Sequence, residues 1–105
     1  MKEALVRKKA LDILRADGWV CWCPAKARYQ ETDIFGCWDC LALKPSYLPR
    51  FIQWTTAPNL SARVKKVEKF LRESKTEVWS ECWGWHVKRK CFIIRRQGAF
   101  GDLPA

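Results

Sequence analysis

Asp33-Ile34-Phe35-Gly36-Cys37-Trp38-Asp39-Cys40-Leu41-Ala42-Leu43, followed by Phe51-Ile52-Gln53-Trp54-Thr55-Thr56, is the stretch from which the rest of the chain can be read. The first part leads from an aspartate into a run of strand-favouring residues, and the second sets a polar residue at the centre of another such run. Pro45 and Pro49 bracket a turn between them. Paired as a hairpin, the two strands would set Asp39 and Gln53 side by side at one end of a sheet. Residues two apart share a face, so Gln53 and Thr55 are expected on one side and Trp54 on the other.

Upstream, residues 3–17 have helical periodicity, with Leu5, Leu11 and Leu14, helped by Ala4 and Ala10, as the apolar stripe. Gly18 is a stop signal. Residues 19–23 read as a strand ended by Pro24, and residues 25–32 as a polar, basic loop. Downstream, Pro58 ends the third strand, and Asn59 or Ser61 is placed to cap a helix running to about Ser74. Leu60, Val64, Val67 and Leu71 form its apolar face. Residues 78–87 alternate as a strand, with Trp79, Trp83, Trp85 and Glu81 on one side. Lys88-Arg89-Lys90 makes a basic turn into a last strand over 91–95. The order α-β-β-β-α-β-β predicts an α/β fold with a mixed central sheet flanked by two helices. Residues 1–96 are expected to form one domain and 97–105, with two glycines and a proline, a loose tail.

The chain has 105 residues, 49% of them hydrophobic, which suits one domain with a real core and excludes the disordered class. A net charge of +9 points to a polyanionic partner, nucleic acid before an anionic membrane surface. The first fifteen residues are charged and helical rather than secretory in pattern, and no apolar run reaches the roughly 18 residues of a membrane span. A cytoplasmic protein with no membrane partner is expected, and its six cysteines are then buried apolar residues or metal ligands rather than disulfides.

The Asp39-Cys40-Leu41-Ala42 step, the Gln53-Trp54-Thr55 step and the element order together resemble the PD-(D/E)XK nucleases, and within them the small Holliday junction resolvase-like endonucleases. In that family an αβββαβ core carries an Asp followed by apolar residues, then a Glu or Gln, any residue, and usually Lys. The resemblance covers residues 1 to about 85. It implies a restriction-endonuclease-like fold and Mg²⁺- or Mn²⁺-dependent hydrolysis of DNA phosphodiesters, with branched DNA as the favoured substrate of a homodimer. It implies Asp39 as the central metal ligand, Gln53 as the second through its amide oxygen, the Trp54 main-chain carbonyl as the third, and Asp33 as an extra ligand or water-orienting group. Such oxygen-only ligation suits Mg²⁺ or Mn²⁺.

The chain departs from that pattern at three places. Gln53 is neutral where most relatives carry a carboxylate. Thr55 stands where a lysine supplies positive charge, a role that Lys65, Lys66 or Arg63 on the next helix would have to take. Arg7 occupies roughly the place of the helical Glu found in resolvases, with Glu3 one turn earlier. The departures keep a second expectation open, a nucleic-acid-binding protein with a nuclease-like fold and no catalysis. Small stand-alone nucleases of this kind suit a phage or a virus-infected cell.

Lys26, Arg28, Arg63, Lys65, Lys66, Lys69, Lys88, Arg89 and Lys90 are the candidate phosphate contacts, against the plainer reading of a solvated charged face. Cys21-x-Cys23 and Cys37-x-x-Cys40 supply four thiols for a zinc site, but an extended strand would send Cys37 and Cys40 to opposite faces, which favours buried apolar cysteines. Trp79, Trp83 and Trp85 are expected in the core or a dimer interface, with a base-stacking platform as the other reading. His86, the only histidine, reads as a solvated strand residue.

Overall fold

A computed structural model describes residues 3–25 and 33–97. The elements are α1 (Glu3–Ala16), β1 (Val20–Trp22), β2 (Cys40–Leu43), β3 (Arg50–Thr56), α2 (Leu60–Ser74), β4 (Trp79–His86) and β5 (Cys91–Gln97). One five-stranded sheet runs in sequence order, β1-β2-β3-β4-β5. Only β3 and β4 are parallel, and α2 with its leading 3₁₀ turn, Ala57–Asn59, makes the crossover between them. The other neighbours are antiparallel. The result is an α/β fold with a mixed sheet and two helices.

α1 buries Val6, Ala10, Leu11 and Leu14, not the expected Leu5 and Ala4. Spacings of four place residues 6, 10 and 14 on one stripe, and Leu5 lies about 100° off it, half in solvent. Gly18, at φ +90°, ends the helix: its N–H reaches Arg15 O, and the Trp19 N–H reaches Leu14 O. α2 closes against the other face through Leu60, Val67 and Leu71. Its N-cap residue, Asn59, makes no side-chain cap bond.

Strand alternation sorts the core into two layers. Cys40, Ala42, Ile52, Trp54, Trp79, Trp83 and Trp85 pack under α1, while Phe51, Cys82 and Ile93 pack under α2 with Trp38. The three β4 tryptophans are buried, which removes the base-stacking reading and makes them core. Glu81, between them, is 1% exposed. It accepts hydrogen bonds from Arg50 Nε (2.9 Å) and Nη2 (2.6 Å), the indoles of Trp79 (3.0 Å) and Trp83 (2.9 Å), and Arg96 Nε (3.2 Å). The Arg50 guanidinium also lies over the Trp19, Trp79 and Trp83 rings, 4.9–5.4 Å from their centroids. β5 continues two residues past its expected end, to a buried Gln97 that accepts from Ser80 Oγ at 2.9 Å. Residues 98–105 of the expected tail lie outside the described residues.

No helix among the described residues is long and apolar enough to cross a membrane.

Candidate active site

The parallel β3–β4 pair fixes which residues meet at one end of the sheet. Both strands finish there, so that end collects Thr55 and Thr56 of β3, the start of α2 and the turn after β4. β2 runs the other way, so its leading residue, Asp39, lies there as well.

Residues 34–38 form a tight turn rather than the start of a strand. Ile34 and Trp38 exchange backbone hydrogen bonds (2.8 and 3.1 Å), and Phe35 and Gly36 take consecutive left-handed conformations at φ 52° and 69°. The Ile34–Trp38 bridge therefore places Asp33 and Asp39 just outside it, one on each leg of the turn. Gly36 adopts its φ without cost, whereas Phe35 is held there by edge-on contact with Trp38 and stacking on Phe70.

Asp39 is tied to β3 twice. Its N–H donates to Ile52 O at 2.9 Å, and its Oδ2 accepts the Trp54 N–H at 2.9 Å. The carboxylate thus takes the place of a further β2 residue in the ladder. Within a strand the N–H and C=O of one residue point to the same neighbour, so the Trp54 carbonyl is directed toward the same open corner.

Two adjoining cavities, about 290 and 210 Å³, occupy that corner and share Glu3, Asp33, Asp39 and Trp54 in their walls. Ala4, Arg7, Cys23 and Pro24 complete the first, and Val6, Thr55, Thr56, Asn59 and Arg63 the second. Of the expected site residues, the fold therefore gathers Asp33, Asp39, Trp54 and Thr55 in one cleft. Gln53 does not reach its wall. It lies one step deeper than Thr55 on the same face, 1% exposed, and its Oε1 is buried with no hydrogen-bond partner among the described residues.

Lys65 lines a different cavity, with Val64, Glu68 and Arg95, so its expected place in the site is not realised. Residues two apart on a helix point about 200° apart, and only Arg63 of the two faces the cleft. Lys69 is exposed and lies 3.9 Å from Glu73. Lys88, Arg89 and Lys90 are exposed at the tip of the β4–β5 hairpin, at the same end of the sheet as the cleft. Lys26 and Arg28 lie outside the described residues.

Several cleft residues, Glu3 and Cys23 among them, are not assigned there from sequence. Glu3 was set aside because Arg7 held the expected place, yet both face the cleft from successive turns of α1. Cys23 reads as one of a pair in a strand and belongs to the cleft wall because β1 ends at Trp22. Cys37 and Cys40 fall in different core layers, so the four-thiol grouping considered for zinc is divided.

The oxygen donors suit a hard cation. Mg²⁺ is usually held by one or two carboxylates and keeps several waters for its substrate. Asp33, Asp39 and Trp54 line both cavities and would supply such a set through two carboxylates and a main-chain carbonyl. Among the described residues, no group of three or more His, Cys, Asp or Glu side chains is gathered closely enough to hold a metal ion.

No protein-family model matches the chain, and neither curated proteins nor solved structures yield a significant match.

Proposed function

We propose that the chain is a metal-dependent endonuclease that hydrolyses DNA phosphodiester bonds, with branched DNA as its favoured substrate. The observation that carries this reading is the meeting of Asp33, Asp39, the Trp54 main chain and Arg63 in one cleft at the open end of β2–β3. In this reading Asp39, Asp33 and the Trp54 carbonyl would hold Mg²⁺ or Mn²⁺. When bound, the ion polarises the phosphodiester and lowers the pKa of an attacking water.

The chain's own residues do the rest. The Trp54 N–H fixes the Asp39 carboxylate through Oδ2 at the cleft wall. Arg63 offers the scissile phosphate the positive charge that Thr55 lacks, by a planar donor set suited to phosphate. The start of α2, beside Asn59, adds the favourable end of a helix dipole. Lys88, Arg89 and Lys90 extend the positive potential along the rim and position the flanking backbone. The decisive assay compares wild type with Asp39→Asn on branched and linear DNA, with and without Mg²⁺ or Mn²⁺. Cleavage that needs both the metal and Asp39 is expected, and cleavage indifferent to either sinks the reading.

One observation favours a second reading. Gln53 is neutral and lies beneath the cleft wall rather than in it. A protein that binds nucleic acid without cutting it would retain salt-sensitive binding that divalent metal leaves unchanged. A calorimetric Mn²⁺ titration giving no heat, beside intact DNA binding, selects it.

A further inference from the structure

Three cysteines come together on the α1 face where β1 meets β2. The β1–β2 register pairs Cys21 with Ala42 and Trp22 with Leu41. Carried one step past the end of β1, the same register would bring Cys23 opposite Cys40. Cys21 and Cys23, two apart, share the face on which Cys40 is buried, and both pack against the core cluster that contains it. The thiols of Cys21 and Cys23 both neighbour that of Cys40. All three are free thiols.

They differ in access. Cys40 is fully buried and Cys21, half-buried, directs its thiol to Trp19 O at 3.8 Å. Cys23 alone lines the cleft, in the same cavity as the Arg7 side chain. Of the three thiols, a small oxidant entering the cleft meets that of Cys23 first. Directly facing strand positions are about 4.5–5.5 Å apart at Cα. That falls within the roughly 4.4–6.8 Å at which disulfides form without backbone movement.

We infer that Cys23 and Cys40 form a reversible thiol–disulfide pair, with Cys23 the peroxide-reactive thiol and Cys40 the resolving one. The Cys23 sulfur attacks a hydroperoxide ROOH, breaking the O–O bond to give Cys23–SOH and ROH. The Cys40 sulfur then attacks the Cys23 sulfur and displaces hydroxide, which takes the Cys40 proton and leaves as water. The peroxide is reduced by two electrons and the two thiols are oxidised to one disulfide. The cross-link would sit one residue from Asp39, but the inference does not depend on what the cleft binds.

The test uses the full chain carrying Cys91→Ser, which removes the exposed thiol that would otherwise join two molecules. The reduced protein is titrated with hydrogen peroxide, digested without reductant and mapped by mass spectrometry. The expected result is loss of two thiols per chain, a Cys23–Cys40 cross-linked peptide, and full recovery with dithiothreitol. Cys23→Ser, a change at a half-buried position, should abolish the cross-link, and Cys21→Ser should leave it intact. Cys40→Ser should trap Cys23 as a sulfenic acid that dimedone labels; circular dichroism checks that this core variant folds. A Cys21–Cys40 cross-link, or direct oxidation of Cys23 to sulfinic acid in the wild-type pair, overturns the inference. So does a thiol count that peroxide does not change.

Discussion

Asp39 has two duties that a single substitution separates. Its Oδ2 closes the ladder against the Trp54 N–H, and its charge faces the cleft. Asparagine keeps an oxygen for the N–H and loses the charge. Asp39→Asn is therefore expected to leave the melting temperature within a few degrees of wild type while metal-dependent cleavage falls about 100-fold or more. A cleavage time course beside a thermal melt checks both halves. Arg63 and Lys65 make a sharper pair, because they carry the same charge two positions apart and only Arg63 lines the cleft. Arg63→Ala should lower cleavage by about 10²-fold, the scale of losing one charge-stabilising donor. Lys65→Ala should change it no more than about twofold. Equal losses in the two variants would mean that these residues act through general charge rather than position.

At the scale of elements, two packing arrangements hold the cleft in shape. β4 passes beneath the start of α2 at Gly84, where a Cβ would lie 3.1 Å from Leu60 Cβ and Cδ2 and 3.2 Å from Ala57 Cα. Leu60 can shift slightly, but the Ala57 backbone cannot without moving the 3₁₀ turn. Gly84→Ala should destabilise by about 1–3 kcal/mol in urea unfolding. On the opposite face Glu81 ties β3, β4 and β5 together. Burial alone would raise its pKa, but the Trp83 N–H, the Arg50 charge and the Trp79 N–H outweigh it and hold the carboxyl below its ordinary 4.5. A carboxyl whose folded pKa is depressed gives its full stabilisation above the unfolded pKa and loses it as pH falls through the folded value. Unfolding free energy should therefore decline as pH drops below about 4.5. Glu81→Gln should be less stable near neutrality and show a flatter acid limb. Arg50→Ala leaves the buried carboxylate short of its main cation and should cost about 3–5 kcal/mol at pH 7.

For the whole molecule, the governing quantity is a net charge of +9. Its Lys88-Arg89-Lys90 cluster is exposed at the end of the sheet that holds the cleft. If those three side chains meet phosphates, DNA affinity falls linearly with salt on a log–log plot, and replacing all three by alanine should make the slope shallower by about 3. Fluorescence anisotropy at several salt concentrations measures this. An unchanged slope would assign the cluster to solvent. β1 is a three-residue edge strand, with Val20 and Trp22 exposed beside Leu43 on the sheet face that α2 leaves uncovered. Shortness limits the pairing such an edge can offer a second chain.

The local grammar of the chain was enough to lay out its elements. Apolar spacing, Gly18 and the prolines marked both helices and all five strands to within a few residues, because periodicity and backbone stops are properties of neighbouring residues. A hairpin register likewise sets Asp39 beside Gln53, one step on from the Cys40–Ile52 pair. Tertiary structure decided what those neighbours could not. It turned residues 34–38 into a closed loop that sets Asp33 near Asp39, and chose Arg63 over Lys65 by the rotation of α2. It also brought Glu3 into the cleft and left Gln53 beneath its wall. Each of these depends on where one element lies against another, and that is fixed by burial across the whole sheet rather than by the order of residues along it.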